Sequence, residues 1–525
     1  MGRYFKSAVP SRFTGVASFA RVFLILLILI LPALWSLLRP GFFVSDDGEW
    51  MIIRLTAFHQ ALAAGEFPVR FVFRLNHEYG YPVLNFLYPG GFYLGEAIHL
   101  LGFNFIDSIK IVFGLSVVGA TLFSYLWLRT RFSTLASLLG SLFYVYSPYF
   151  LWDIYKRGSM GEVLALSVIP LFFWAVERRN WLIGSLAYSL LIVSHNIIAV
   201  IFMPFLIIYS FVTLSLKHAI RYTLYAIPLG LALSAFFWLP AIIESKLTVL
   251  SKTVVGNPLE NFVTDVSLFG WVNISILFLA FLIFLRKKDK LSVLFLSMFL
   301  LAIFLSGQAS VFFWKAFPWS FLIQFPFRFL SLTLPAVAFL AAFVFDKSFQ
   351  KRKILWLGIS VAILFYFSLP FTKPVSFFQK NEGFYLTNEH STTIHDEYMP
   401  VWVKVKPTER PKEKVGVIEG QAKIELLKDT GRQIKFKTKS TIPAIIRVNV
   451  IYYPGWQVLI DGEVTKFSYQ NEKGVIEIPV KEGEHQILVE FRETPFRAFS
   501  DIISLATLGV LIFIGLRNLR IISHK

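Results

Sequence analysis

The chain has 525 residues and not one cysteine. Disulfides, thiolate metal sites and cysteine nucleophiles are thereby excluded. Charge is scarce: Asp, Glu, Lys and Arg make up 16% of the chain, against about 25% in an ordinary soluble domain. Acids are the rarer sign, 33 against 51 basic residues, for a net charge of +18. The basic residues form no patches interleaved with aromatics, so a nucleic-acid partner is not expected. A glycine-rich phosphate loop, a zincin motif and a Ser-His-Asp signature are also missing.

Apolar sequence is what the chain has in quantity: 56% of residues are hydrophobic and 17% aromatic. Runs of membrane-crossing length recur. They predict a polytopic α-helical membrane protein with about twelve spans. These fall near 22–39, 109–128, 134–151, 161–177, 181–195, 197–216, 221–243, 266–285, 291–306, 329–345, 353–370 and 498–516. The first run follows a basic N-terminus but leads into PGFF rather than a small-residue cleavage site. It reads as a retained span.

Basic residues orient the chain. With the N-terminus inside, 21 Lys and Arg fall in inner segments, including Arg3, Lys6, Arg12, the run RKKDK at Arg286–Lys290 and Lys525. The short outer loops hold five: Lys156, Arg157, Lys246, Lys252 and Lys315. The asymmetry predicts a plasma-membrane protein with both termini cytoplasmic. Residues 40–108 and 371–496 are then extracytoplasmic. The expected organisation is a helical membrane domain over 1–370, a β-rich outer domain over 371–496, and a last span with a basic tail over 497–525. Period-two alternation in QIKFKT, IIRVNVIYY, GVIEIPV and HQILVEF, with turns at YPGW and IDGE, predicts a small C-terminal β-sandwich.

The orientation gathers the polar residues of interest at the outer face. The stretch FVSDDGEW supplies Asp46, Asp47 and Glu49, and RLNHEYGYP supplies His77, Glu78 and Tyr79. LWDIYKRGSMGE brings Asp153, Lys156, Arg157 and Glu162; IVSHNI brings His195 and Asn196; FLIQFPFRFL brings Gln324 and Arg328. Charge at membrane depth is costly, so each is a functional candidate. Each also has a plainer reading: a helix cap for one of the aspartates, a snorkelling or interfacial cation for Arg157 or Arg328, a satisfied buried ring for His195. The chemistry of the set points one way. Acids suit a base acting on a hydroxyl, acids with imidazoles suit a divalent ion, and Arg suits phosphate.

An acidic pair in an outer loop just after the first span resembles the GT-C superfamily of membrane glycosyltransferases. HEYGYPVLNFLYPGGFYLGEAIH, SPYFLWDIYKRGSMGE, SHNIIAVIF and QFPFRFL resemble the integral-membrane family labelled "6-pyruvoyl-tetrahydropterin synthase-related". YYPGWQVLIDGE is similar to YfhO-like membrane proteins of the same superfamily. The resemblance runs from about residue 22 to 516. It implies an inverting transfer of a sugar from a polyprenyl-phosphate donor to an extracytoplasmic lipid or glycan acceptor. By carry-over Asp46 or Asp47 is the base. Arg157 and Arg328 hold the donor phosphate, with Tyr79, Asp153, Glu162 and Asn196 in the substrate-binding set. Some relatives use a divalent metal (Mg, Mn, Ca or Zn), for which His77, Glu78 and His195 are the ligands to expect. The rival classes are a lipid or glycan transporter or flippase, which would show broken spans in matching halves, and a non-catalytic envelope-assembly scaffold.

Overall fold

The computed structural model describes residues 15–252, 257–316 and 323–523. Arg3, Lys6, Arg12 and Lys525, which entered the orientation above, lie outside them. Seven described helices are long and apolar enough to cross a membrane, or ten if each of three bent pairs is one span. The chain is therefore a multi-pass membrane protein. Two further apolar helices, α8 (Trp181–Ser194) and Trp271–Arg286, have 14 and 16 residues and fall short of a full crossing by length.

Preceding them are α1 (Gly15–Leu34), α2 (Gly48–Ala63), α3 (Gly90–His99), α4 (Phe105–Leu128), α5 (Thr134–Val145), α6 (Pro148–Trp152) and α7 (Met160–Glu177). After α8 come α9 (Asn196–Thr213), α10 (Leu216–Leu233) and α11 (Ala235–Glu244). Helices α4, α7 and Pro326–Ser348 are largely buried, whereas Lys353–Thr372 and the last helix turn most of their apolar side chains outward. Outward Leu, Ile and Phe are stable there because lipid, not water, meets them. The α5–α6 pair bends by 43°, with Pro148 opening the second helix, where its missing N–H costs nothing.

The C-terminal β-rich region begins with a short ladder. Strand β1 (Phe42–Phe43) pairs antiparallel with β2 (Phe377–Phe378), tying the segment after the first helix to the chain that leaves the helical region. Then come β3 (Val415–Glu419), β4 (Ala422–Asp429), β5 (Gln433–Ser440), β6 (Ala444–Ile451), β7 (Trp456–Ile460), β8 (Glu463–Thr465), β9 (Val475–Val480) and β10 (Gly483–Phe491). They form a five-stranded sheet, β4-β5-β10-β7-β8, and a three-stranded sheet, β3-β6-β9. Their alternate residues, among them Ile434, Phe436, Ile446, Val448, Val458, Ile476, Ile478, Ile487 and Val489, share one buried core. Phe71 and Phe86 of the first outer loop complete that core.

A buried polar junction holds the sheets to the helices. The fully buried Arg497 of the last helix donates from Nε and Nη2 to the two carboxylate oxygens of Glu244, both at 2.8 Å. Tyr453 and Asn85 also donate to Glu244, each at 2.8 Å. Nearby, Arg70 joins Glu493 at 2.7 Å and Asp501 at 2.8 Å. Four chain segments meet here, so the sheets have a fixed seat on the helices. Breaking a buried pair by removing one member costs about 3–5 kcal/mol. Glu244→Ala is expected to destabilise the purified protein by that much, read as a lower thermal midpoint, and Glu244→Ala/Arg497→Met by clearly less than the two single losses together.

Beside the junction, burial pushes the Glu66 carboxyl from its ordinary 4.5 up to about 8, against the pull of N–H groups from Phe71 and Arg70. The folded chain thus holds this proton more tightly than the unfolded chain does. Its contribution to stability is complete below pH 4.5 and is lost as the pH rises through 8. In Glu66→Gln that part of the decline should vanish from melting curves taken between pH 5 and 9.

Candidate active site

Two of the expected segments are stitched together by their backbones. The N–H of Asp46 donates to the carbonyl of Lys156 at 2.9 Å, and that of Asp47 to the carbonyl of Arg157 at 2.7 Å. Asp153–Arg157 is a π-helical turn closed by Gly158 at φ 68. A Cβ on Gly158 would come within 2.5 Å of Ser45 Oγ and 2.7 Å of the Gly48 nitrogen. Only glycine allows both the left-handed turn and that approach.

The helix-cap reading of the aspartates fails for the one at the cap. Asp47 occupies the N-cap position of α2 but makes no side-chain cap bond. Its half-exposed carboxylate lies 4.0 Å from Arg157 Nη2. Asp46 is engaged by Lys156 at 2.6 Å on the surface, and Glu49 by Lys380. The two adjacent acids therefore differ: one is neutralised outside, the other faces inward cations.

Behind Asp47 sits Glu162, wholly buried in the first turn of α7. Arg157 Nη1 donates to it at 2.7 Å and to Asp153 at 2.6 Å. Tyr149 donates its hydroxyl to the other oxygen. Arg328 Nε lies 3.7 Å away and His195 Nε2 3.9 Å. Asp153 and Glu162 together balance Arg157 and Arg328, which offsets the desolvation of all four. Arg157 also lies over the Phe327 ring at 4.9 Å. Arg328 donates to the Ile323 carbonyl at 2.8 Å and to Gln324 at 2.9 Å, and its Nε has no hydrogen-bond partner among the described residues.

His195 is the N-cap of α9; its Nδ1 accepts the N–H of Ile198 at 3.3 Å. An accepting Nδ1 puts the proton of the neutral ring on Nε2, facing Glu162. The Tyr88 ring lies 4.5 Å from the His195 ring. Gly161 makes room for both: a Cβ there would meet Tyr88 at 2.0 Å and the Ser194 carbonyl at 2.6 Å. Burial pushes the Tyr88 phenol up to about 12; Asp47 and Glu162 add to the rise, and Arg328 and Arg54 oppose it. Tyr88 thus stands among these four charges.

The remaining expected residues lie elsewhere. Asn196 accepts the N–H of Ile197 at 3.0 Å beside His195. His77 is fixed through its N–H to the Glu389 carbonyl at 3.0 Å, with its ring 6.1 Å from that of His390. Glu78 lies 3.5 Å from Arg410. The Tyr79 hydroxyl accepts from Lys473 at 3.2 Å, and its carbonyl from the Ile451 N–H at 2.8 Å. His77, Glu78 and Tyr79 therefore seat the outer region. Among the described residues no three His, Asp or Glu side chains gather as a metal site. His77 and Glu78 face residues 389–410, while the free nitrogen of His195 points at a carboxylate flanked by two guanidinium groups. That set does not fit a divalent cation. Tyr88, Tyr149 and Arg54 belong to the neighbourhood and are absent from the sequence reading, since tyrosine in an apolar run reads as packing. Arg54 carried a usable signal: it follows Asp47 by seven residues, on the same helix face.

No protein-family model matches the chain, and no curated protein does. Among solved structures it is similar to the arabinofuranosyltransferase AftD from Mycobacteria, at 14% identity and a TM-score of 0.46 over 70% of this chain and 27% of that one. It is similar to ArnT from Cupriavidus metallidurans bound to undecaprenyl phosphate, at 13% identity and 0.40 over 67% and 64%. A third likeness is to the archaeal oligosaccharyltransferase AglB from Archaeoglobus fulgidus, with an inhibitory peptide and a dolichol-phosphate, at 12% identity and 0.39 over 72% and 57%. The chain thus spans about a quarter of AftD and roughly three-fifths of the other two. Scores this low establish neither a shared fold nor a shared activity.

If Arg157 is the counter-charge on which the cluster depends, its loss strands two buried carboxylates. Arg157→Ala is expected to destabilise by about 3–5 kcal/mol, read as a lower midpoint of thermal unfolding. Adding Glu162→Gln should recover part of that loss, since it removes one stranded charge.

Proposed function

We propose that the protein is a GT-C-type membrane glycosyltransferase that moves a sugar from a polyprenyl-phosphate donor to an extracytoplasmic lipid or glycan acceptor, with inversion. The observation that carries this reading is the Asp47 carboxylate, uncapped and half-exposed, at the mouth of a buried cluster containing Arg157, Arg328, Glu162 and His195. In this reading the two short apolar helices are spans as well, giving twelve, and the two outer sheets form a β-sandwich. The N- and C-termini are cytoplasmic, and the aspartates face the extracytoplasmic side.

Asp47 is the base. It takes the proton of an acceptor hydroxyl, whose oxygen attacks the anomeric carbon from the face opposite the phosphate. The bond from that carbon to the phosphate oxygen breaks, and the phosphate leaves with the electron pair. A guanidinium beside it stabilises the developing charge, because fixed donors in a dry site need no reorganisation. Asp46, paired with Lys156, keeps the loop in place. No step is assigned to a metal, since His77, Glu78 and His195 do not form a site for one.

The test is transfer by purified protein in lipid, with a panel of radiolabelled polyprenyl-phosphate sugars and an envelope lipid extract. Removing a general base costs about 10²–10⁴ in rate. Asp47→Asn should lose at least 100-fold and Asp46→Asn less than tenfold. Full activity of Asp47→Asn refutes the base assignment. No transfer by the wild type from any donor refutes the enzyme reading in favour of a transporter or scaffold.

A further inference from the structure

Arg54 is a buried cation without an anionic partner among the described residues. It is 8% exposed, and among the described residues its partners are all neutral. Nε donates to Thr392 Oγ1 at 3.0 Å, Nη2 to the Thr392 carbonyl, and Nη1 approaches Met51 Sδ at 3.9 Å. Every other guanidinium at this site has a carboxylate nearby: Arg157 has two in contact, and Arg328 has Glu162 at 3.7 Å. A buried charge left unpaired is expensive, so it marks a place where an anion belongs.

The place is in line with Asp47. Arg54 follows Asp47 by two turns along one face of α2, about 10 Å between Cα atoms. The contact with Met51 shows its side chain leaning back toward that end, as helical side chains do. Tyr88 has its ring 4.5 Å from that of His195, tilted by 33°, and His195 in turn lies 3.9 Å from Glu162, the partner of Arg328.

What covers Arg54 is a strap, Asn388 to Met399, from the outer region. Thr392 holds its two oxygens to the guanidinium at a φ of 63, a region that β-branched residues rarely occupy. The strap is pinned before Thr392 by the Glu389 carbonyl, which accepts the His77 N–H at 3.0 Å, and after it by Thr393 against the Tyr81 hydroxyl at 2.8 Å and by Tyr398, stacked on Phe86 at 5.2 Å. Between the pins, Ile394 is almost fully exposed. Two neutral oxygens thus take the paired hydrogen bonds of a planar fork that a phosphate would take, without the charge.

We propose that Arg54 binds the phosphate of the substrate, and that Thr392 is a placeholder which the phosphate displaces, so that binding unlatches the strap. The inference rests on the reading of the site as one for a phosphate-linked lipid. Arg54 and Arg328 then approach the phosphate from two sides, and Arg157, already shared by two carboxylates, serves to hold the cluster.

The experiment measures binding rather than transfer, so that its outcome is separate from that of the catalytic test. Full-length protein in nanodiscs is titrated with a sugar-free polyprenyl monophosphate, and hydrogen exchange is followed over 388–399. Wild type should bind, with faster exchange across the strap at saturation. Arg54→Gln should bind at least tenfold more weakly and show no ligand-dependent change. Arg54→Lys keeps the charge but loses the fork; it should bind several-fold more weakly and carries the test if Arg54→Gln does not fold. Wild-type affinity in the variant that folds overturns the proposal, as does failure of the wild type to bind the probe or a strap whose exchange the ligand slows.

Discussion

The candidate site is organised around one ion pair, between Glu162 and Arg157. A carboxylate with no exposure at the start of an apolar helix must be neutralised, and Arg157 does so at 2.7 Å. To reach it, the chain winds a π turn from Asp153 to Arg157 and exits through Gly158. That turn then presents the carbonyls of Lys156 and Arg157, which take the N–H groups of Asp46 and Asp47. The position of the paired aspartates is thus a consequence of how a buried charge is satisfied. Tyr149, His195 and Arg328 close the cluster from three further segments.

A second set of buried charges does different work. Arg497, Glu244, Arg70, Glu493 and Asp501 join the last helix, the end of α11 and the first outer loop. Their side chains are spent on one another, and the sheets ride on them through Tyr453. The outer region is thereby held over the helices with its strap lying across α2. The two clusters divide the labour: one seats the β-rich region, the other keeps the half-exposed Asp47 carboxylate beside Arg157 and a guanidinium, Arg328, whose Nε has no hydrogen-bond partner among the described residues.

Much of this was legible in the sequence, for a physical reason. Lipid demands long apolar runs, so each expected span coincides with an apolar helix, although the length criterion admits ten at most. Charges near span ends are costly, so the segments holding Asp47, Asp153, Arg157, Glu162, His195 and Arg328 stood out, and they do come together. His77, Glu78 and Tyr79 looked the same on paper but bind the outer region instead. Nothing in a loop sequence tells whether its polar residues face a site or a neighbouring domain. Tyr88 and Tyr149 were hidden because tyrosine is common in apolar helices and loops. Arg54 is marked in the sequence only by its spacing from Asp47; that it has no anionic partner among the described residues is a property packing reveals.

The central claim is that the acid at Asp47 and the cations beneath it form one reaction site. A structure of the full chain in nanodiscs with a non-hydrolysable polyprenyl-phosphate sugar tests it most directly. The account places the phosphate against Arg54 and Arg328, the strap lifted from Arg54, and the anomeric carbon facing Asp47 with space for one hydroxyl between, at hydrogen-bond reach of about 2.6–3.2 Å from the carboxylate. A sugar found against the outer sheets, or a phosphate on the far side of the Glu162 cluster from Asp47, would contradict it.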